Sequence, residues 1–165
     1  MRNKISTVVF LAASVLALWA VAASKPPASP YTIDTPYEFP VVPGTQEWID
    51  LGSTIARRKA CEVPDEIIQN MTTDALLLTV LNHPFLSDMY AFNSIEQGYV
   101  VVRRRFSDLQ EFERRPDYLE VLSQYCEASA SLSDDEKTLK DYMADKLYYI
   151  YTGRFYHQRP LDSPR

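Results

Sequence analysis

Residues 64–93 read PDEIIQNMTTDALLLTVLNHPFLSDMYAFN and hold the densest apolar content outside the N-terminal segment. A proline and two acidic residues open the stretch, as is typical of a first helical turn, and Thr72 is a typical N-cap for a second helix. Met71 before that cap and Leu76 after it have the spacing of a hydrophobic staple, which fixes the angle between consecutive helices. Pro84 then ends the second helix. The stretch predicts a compact helical core.

Helical patterns also lie on both sides of this stretch. Thr45 is a candidate N-cap for a helix that extends to about Cys61, because the apolar residues between them fall at spacings of three and four. Asn93 or Ser94 can cap a longer helix with the same kind of apolar stripe. A kink or a new helix is expected at residues 107–108.

The C-terminal part predicts further helices. Pro116 is expected to begin one of them. The last is expected to begin at Ser133, because Ser133 and Glu136 have the spacing of a capping box, and to end at Gly153. No segment shows a sustained two-residue alternation, so strands are not predicted.

These patterns predict an all-α fold. We expect an irregular bundle of about five to seven short helices, packed as sequential antiparallel hairpins because the joints are short. The alternative is a short α-solenoid-like stack, although no period of about 30 to 47 residues repeats with matching residues.

The chain divides into four predicted regions. Residues 1–24 have the sequence pattern of a signal peptide: basic residues, then an apolar run, then small residues at its end. Cleavage, or retention as a single membrane anchor, places the body outside the cytoplasm, either secreted or at the cell surface. Residues 25–44 hold six of the eleven prolines and predict an extended arm, packed on the body from about Tyr37. The all-α domain is expected over residues 45–157, and residues 158–165 form a polar tail.

A family resemblance adds to this prediction. It is carried by short runs of capping and packing residues at 43–48, 51–53, 63–66, 71–73, 81–84 and 89–93. Together these runs resemble an uncharacterised family of secreted or cell-surface helical proteins of Gram-positive bacteria. The resemblance implies an all-α extracytoplasmic module and implies no activity, since the family's domain has no known function.

Composition limits the partners. The net charge of −5 argues against nucleic acid, because binding to phosphates requires a basic surface. A membrane is expected to be a partner only through an uncleaved leader. No motif indicates a cofactor or a metal site, and no catalytic residue is singled out.

Two side-chain clusters are candidate binding surfaces. The first is the one basic cluster, a candidate for anionic wall polymers unless its side chains are simply solvated. The second is a run of tyrosines too broad for one helix face to bury, a candidate contact for a peptide or glycan unless the arm covers it. Their members are Arg103, Arg104, Arg105, Arg114 and Arg115, and Tyr148, Tyr149 and Tyr156.

Cys61 and Cys126 are the only cysteines. In an exported protein they predict either one disulfide, worth about 4 kcal/mol for so long a loop, or two small buried thiols on separate helices. His83, before the proline at a predicted helix end, is expected to interact with the last carbonyls of that helix.

The leading functional hypothesis is a non-enzymatic module that binds a protein, a peptide or an envelope polymer. An extracellular hydrolase with a site scattered in sequence is the first alternative. A structural spacer in an envelope assembly is the second. The oligomeric state is left open.

Overall fold

The computed structural model describes residues 31–154, and the regular secondary structure within them is helical. The predicted signal peptide, Tyr156 and the predicted tail lie outside the described residues. The part described contains eight α-helices and one 3₁₀ helix. They are α1 (Gln46–Asp50), α2 (Thr54–Ala60), α3 (Asp65–Asn70), α4 (Thr73–Asn82), the 3₁₀ helix Leu86–Ala91, α5 (Ile95–Arg103), α6 (Ser107–Arg114), α7 (Tyr118–Ala130) and α8 (Leu139–Thr152).

Helix α4 is the centre of the bundle. Seven of its ten residues are buried, and it contacts α6, α7, α8 and the 3₁₀ helix. A helix that is apolar on nearly every side has to be enclosed by other helices. The all-α prediction is confirmed. A solenoid-like stack does not describe the arrangement, because in a stack each unit contacts only its neighbours in sequence.

The N-terminal helix predicted from Thr45 to Cys61 is two helices. Gly52 has φ +67, a left-handed conformation that favours glycine, and it separates α1 from α2. The Ser53 hydroxyl then accepts the Ala56 N–H at 3.1 Å and caps the second helix. This division raises the number of α-helices above the expected five to seven.

The break expected at residues 107–108 is present. Phe106 has extended backbone angles, φ −114 and ψ 112, so α5 ends before it and α6 begins at Ser107. Helix α7 follows Pro116 after one further residue, and it pairs with α8 as a sequential hairpin. The change of direction at Phe106 places the start of α6 beside α3.

The predicted start of the last helix is wrong. Ser133 and Glu136 do bond to each other, but they close an isolated turn. Helix α8 begins at Leu139, where the Asp141 carboxylate accepts the Thr138 N–H at 2.8 Å in a capping box. Residues 133–136 and 138–141 both have the spacing of a capping box. Only the second set leads directly into a helix that packs against α7.

The described part of the arm lies on the bundle. The Ile33 N–H donates to the Asn70 carbonyl at 3.0 Å, and the Thr72 N–H donates to the Ile33 carbonyl at 2.8 Å. Farther along, the Tyr37 N–H donates to the Thr79 hydroxyl inside the core at 2.9 Å. The arm therefore contacts the bundle already at Ile33, earlier in the chain than the predicted Tyr37. Among the described residues, no helix has both the length and the apolar content needed to cross a bilayer.

Helix α5 packs with its backbone directly against the 3₁₀ helix. Gly98 is buried there, and a Cβ atom at this position would lie 2.0 Å from the Met89 carbonyl oxygen. No side chain fits at that distance, so the two helices would have to separate.

We expect Gly98→Ala to lower the free energy of unfolding by about 3 kcal/mol or more, because backbone atoms on both sides must move. Urea denaturation checks this, with Gln97→Ala on the exposed face of the same helix as the matched control. A Gly98→Ala variant as stable as that control would contradict the packing.

Candidate functional site

A polar cavity lies where the end of α2, the start of α6 and His83 meet. Its volume is about 40 Å³, which exceeds the minimum of about 10–15 Å³ for one water molecule. The cavity, called here the end cavity, is lined among others by Arg58, Cys61, His83, Arg105, Phe106 and Asp108.

The end cavity lies next to a groove beside α3 and α6. A wide section of about 490 Å³ shares Glu62, Val63, Arg105 and Ser107 with the cavity. A narrower section of about 140 Å³ continues along both helices and shares Asp65 and Ser107 with the wide one. The two sections, called here the α3–α6 groove, are lined by side chains of both charge signs: Lys59, Arg105 and Arg114, and Glu62, Asp65 and Glu111.

Asp108 is the most unusual residue of the site. It sits in the first turn of α6 with only 2% of its surface exposed, and its Oδ2 atom has no hydrogen-bond partner. Burial raises the pKa of Asp108 to about 6, although the N–H groups of Leu109 and Asp108 itself partly stabilise the carboxylate. At neutral pH Asp108 is therefore an ionised, buried carboxylate with one oxygen unpaired.

Arg58 also lines the cavity. Its Nη2 lies 3.3 Å from Asp88 Oδ2, and its guanidinium lies 5.4 Å from the centre of the Phe85 ring. The buried Nε atom of the same guanidinium has no hydrogen-bond partner. Arg58 is thus oriented by groups outside the cavity, and one N–H is left over.

His83 is neutral and its tautomer is assigned. Burial lowers its pKa to about 4, and its Nδ1 accepts the Phe85 N–H at 3.1 Å, so the ring proton is on Nε2. The expectation that it interacts with helix carbonyls is wrong, since it accepts from a backbone N–H instead. Its ring stacks on Phe106, with centroids 3.8 Å apart.

Cys61 and Cys126 are free, buried thiols, and the structure has no disulfide between them. Cys61 contacts the arm, where its thiol lies 3.8 Å from the Val41 carbonyl oxygen, whereas Cys126 belongs to α7. Burial raises both pKa values, and Asp145 and Asp141 raise that of Cys126 further, to about 12. Both thiols are therefore protonated and unreactive at neutral pH.

The arginine cluster does not form one surface. Arg103 pairs with Glu113, whose carboxylate also accepts from the hydroxyls of Tyr99 and Tyr151. Arg104 is exposed at the end of α5.

Arg105 and Arg114 reach the groove at separate places. Arg105 is exposed and lines both the end cavity and the wide section, whereas Arg114 lines the narrow section and pairs with Glu111 at 3.3 Å. The cluster therefore contributes side chains at each end of the groove.

Arg115 is structural. It is 2% exposed and donates to the Ile68 carbonyl at 2.9 Å, at the end of α3. Its Nε lies 3.0 Å from Glu111 Oε1, an ion pair without hydrogen-bond geometry. The guanidinium also lies 3.7 Å from the centre of the Tyr31 ring. Arg115 thus ties the arm, α3 and α6 together.

The tyrosines of α8 lie away from the groove. Tyr148 and Tyr149 are both half-buried, and Tyr148 packs against the core. Tyr149 interacts with Glu96 in the first turn of α5, at the end of that helix opposite to Arg105. Within the described chain the exposed aromatic side chains are Tyr90, Phe92 and Tyr142.

Sequence reasoning missed Asp108 and Arg58. The sequence predicted a kink or a new helix at residues 107–108, but the pattern does not indicate that the Asp108 side chain is buried at that break. Between residues 31 and 154, no group of three or more His, Cys, Asp or Glu residues is placed to hold a metal ion.

Comparisons with known proteins identify no relative: no family model, no curated protein and no solved structure matches the chain. What the chain offers for a functional assignment is therefore the geometry of the groove and the end cavity.

The pKa of Asp108 predicts a pH dependence of stability. Between about pH 4 and 6 the folded protein holds a proton that the unfolded chain has released, so the free energy of unfolding falls as the pH rises. We expect Asp108→Asn to gain up to about 3 kcal/mol over the wild type across this window, measured by urea denaturation at several pH values.

His83→Gln is the control, because the contribution of His83 to stability should change with pH in the opposite direction to that of Asp108. The lowered pKa of His83 stabilises the fold above about pH 6.5, and that stability is lost as the pH falls towards 4. The wild type should thus lose its advantage over His83→Gln on acidification. A difference between Asp108→Asn and wild type that does not change with pH would contradict the burial of the carboxylate.

Proposed function

We propose that this chain is an extracytoplasmic binding module that holds a peptide in the α3–α6 groove. The observation that carries the proposal is the groove itself, an open concave surface lined by side chains of both charge signs, with the small end cavity beside it. Ligand sites are concave surfaces with a few convergent polar groups.

The charge pattern favours a peptide over a polyanion. Lys59 and Arg105 would attract an anionic envelope polymer or a phosphate backbone, but Glu62 and Asp65 line the same wide section and would repel it. A peptide carries donors, acceptors and both charges along one chain. Nor do the lining residues include an exposed aromatic ring on which bases could stack.

Binding is favoured over hydrolysis by the state of the two groups that would make a nucleophile. The thiol of Cys61 is protonated because burial raises its pKa. His83 is a poor base for it, since its Nδ1 already accepts a backbone N–H and its Nε2 carries the proton. A thiolate–imidazole pair is therefore not supported at this site.

The extracytoplasmic location in this proposal rests on the signal-peptide grammar of residues 1–24 and on the resemblance to secreted helical proteins of Gram-positive bacteria. A secreted peptide-binding module is consistent with the acidic net charge of −5, which favours solubility.

The test uses adjacent arginines as a matched pair. A displayed library of random decapeptides is selected on the purified protein, and the affinities of the enriched peptides are measured by fluorescence polarisation. We expect Arg105→Gln to weaken binding about tenfold, because it removes a charge from the groove wall, and Arg104→Gln to change it less than about twofold.

Two outcomes would contradict the proposal. If no peptide is enriched, a peptide is not the ligand of the groove. If Arg105→Gln and Arg104→Gln lose the same affinity, binding depends on the overall charge of the protein and not on the groove. Cleavage of the enriched peptides by the wild type would replace binding with hydrolysis.

A further inference from the structure

A second groove, with apolar walls, lies between α4 and α7. Leu77 and Leu78 of α4 line it on one side, and Val121 of α7 lines it on the other. Its volume of about 240 Å³ greatly exceeds the roughly 30 Å³ that one water molecule occupies in the liquid. The groove, called here the α4–α7 groove, therefore has room for a large aliphatic side chain.

The uncharged polar side chains of this groove already donate to carboxylates of the same chain. Gln124 Nε2 donates to Glu120 Oε1 at 3.3 Å. The Tyr125 hydroxyl donates to Asp141 Oδ1 at 3.2 Å. An extended peptide would find few partners for its backbone over such a surface, whereas a helix satisfies its own backbone groups. The α4–α7 groove therefore favours a helix as its occupant.

Both walls of the α4–α7 groove carry only acidic charge. Helix α4 contains Asp74 and α7 contains Glu120 and Glu127, and neither helix contains a lysine, an arginine or a histidine. Asp74 lines the groove, and Glu120 is bonded to a residue of its lining. The complementary occupant is a basic helix with an exposed aliphatic side chain.

Helix α2 of this chain has that composition. It contains Arg57, Arg58 and Lys59 and no acidic residue. Ile55 lies one turn before Lys59 on the same face and is 81% exposed, the highest value for a large apolar side chain in residues 31–154. An aliphatic side chain and a cation are thus presented together.

The division of the N-terminal helix accounts for the exposure of Ile55. The apolar spacing of the sequence predicted one helix that continues past Gly52, and the left-handed conformation of this glycine ends it. The new helix is held to α1 by Arg57, whose Nε donates to the Trp48 carbonyl at 2.8 Å, and it has no buried residue. Its outer face is therefore available to another molecule.

We propose that the α4–α7 groove binds α2 of a second copy of this chain. Ile55 enters the groove beside Leu78, and Lys59 lies at the acidic rim. Helix α2 is not among the elements that pack against α4 or α7 in its own molecule, so the contact forms between molecules.

The symmetry of the assembly follows from how often the contact is made. Made twice about a two-fold axis, it closes a dimer, and made once per molecule, it extends a chain. Lys59 also lines the wide section of the α3–α6 groove, so association and peptide binding compete for this side chain.

Sedimentation velocity of the purified protein tests the association. We expect the mean sedimentation coefficient of the wild type to rise with protein concentration. Ile55→Ser and Leu78→Lys should each stay monomeric where the wild type associates, because the first removes the inserted side chain and the second places a positive charge against α2. Val100→Ser, at an exposed apolar residue of α5, is the matched control and should associate like the wild type.

A mixture of the two defective variants tests which surfaces meet. Ile55→Ser keeps an intact groove and Leu78→Lys keeps an intact α2, so one contact can still form between them. We expect a heterodimer in the mixture, although neither variant associates by itself. Circular dichroism and thermal melting verify that each variant is folded. If Leu78→Lys is not, Glu120→Lys replaces it, because Glu120 is exposed and its reversal changes only the charge of the rim.

Three outcomes would overturn the proposal. A wild type that stays monomeric at every concentration would leave a basic helix of another protein as the occupant of the groove. Association that both variants retain would show that other surfaces meet. A mixture without heterodimer would contradict the pairing of α2 with the groove. None of these outcomes bears on peptide binding, since Ile55 and Leu78 are not lining residues of the α3–α6 groove.

Discussion

The structure depends on the enclosure of α4. Because seven of its ten residues are buried, the helix is stable only if other elements cover nearly all of its surface, and α6, α7, α8 and the 3₁₀ helix do so. Even its two buried hydroxyl groups are satisfied, and Thr73 donates to Asp117 at 2.8 Å. The Thr79 hydroxyl donates to the Ala75 carbonyl at 2.8 Å and accepts the Tyr37 N–H, which joins the arm to the core.

The proposed site lies at the edge of this core. Neither α1 nor α2 has a buried residue, and α3 has only Ile68, so these three helices contribute little to the enclosure of α4, whereas α6 on the other side of the groove packs against it. Stability is unevenly distributed in proteins, and binding surfaces come from the less stable parts. An unpaired atom such as Asp108 Oδ2 destabilises the fold, and the enclosure of α4 offsets this cost.

Local rules predicted most of the fold. The predicted caps Thr45 and Thr72 each accept a backbone N–H three residues on, and of the two candidates before α5 it is Ser94 that does so, because capping depends on only a few residues. Two predictions failed. The start of α8 was misplaced because the capping-box spacing occurs twice, and the N-terminal helix was not divided because the left-handed conformation of Gly52 was overlooked. The site could not be predicted from local patterns, since it requires Arg58 and Asp108, distant in sequence, to line one cavity.

Amide hydrogen exchange tests the central role of α4 most directly. The account predicts that the amides of residues 76–81 exchange only through global unfolding, with a free energy equal to that from urea denaturation. The amides of α2 should exchange through local opening at a lower free energy. If the α4 amides exchanged as readily as those of α2, the enclosure of α4 would not be the constraint on which the fold depends.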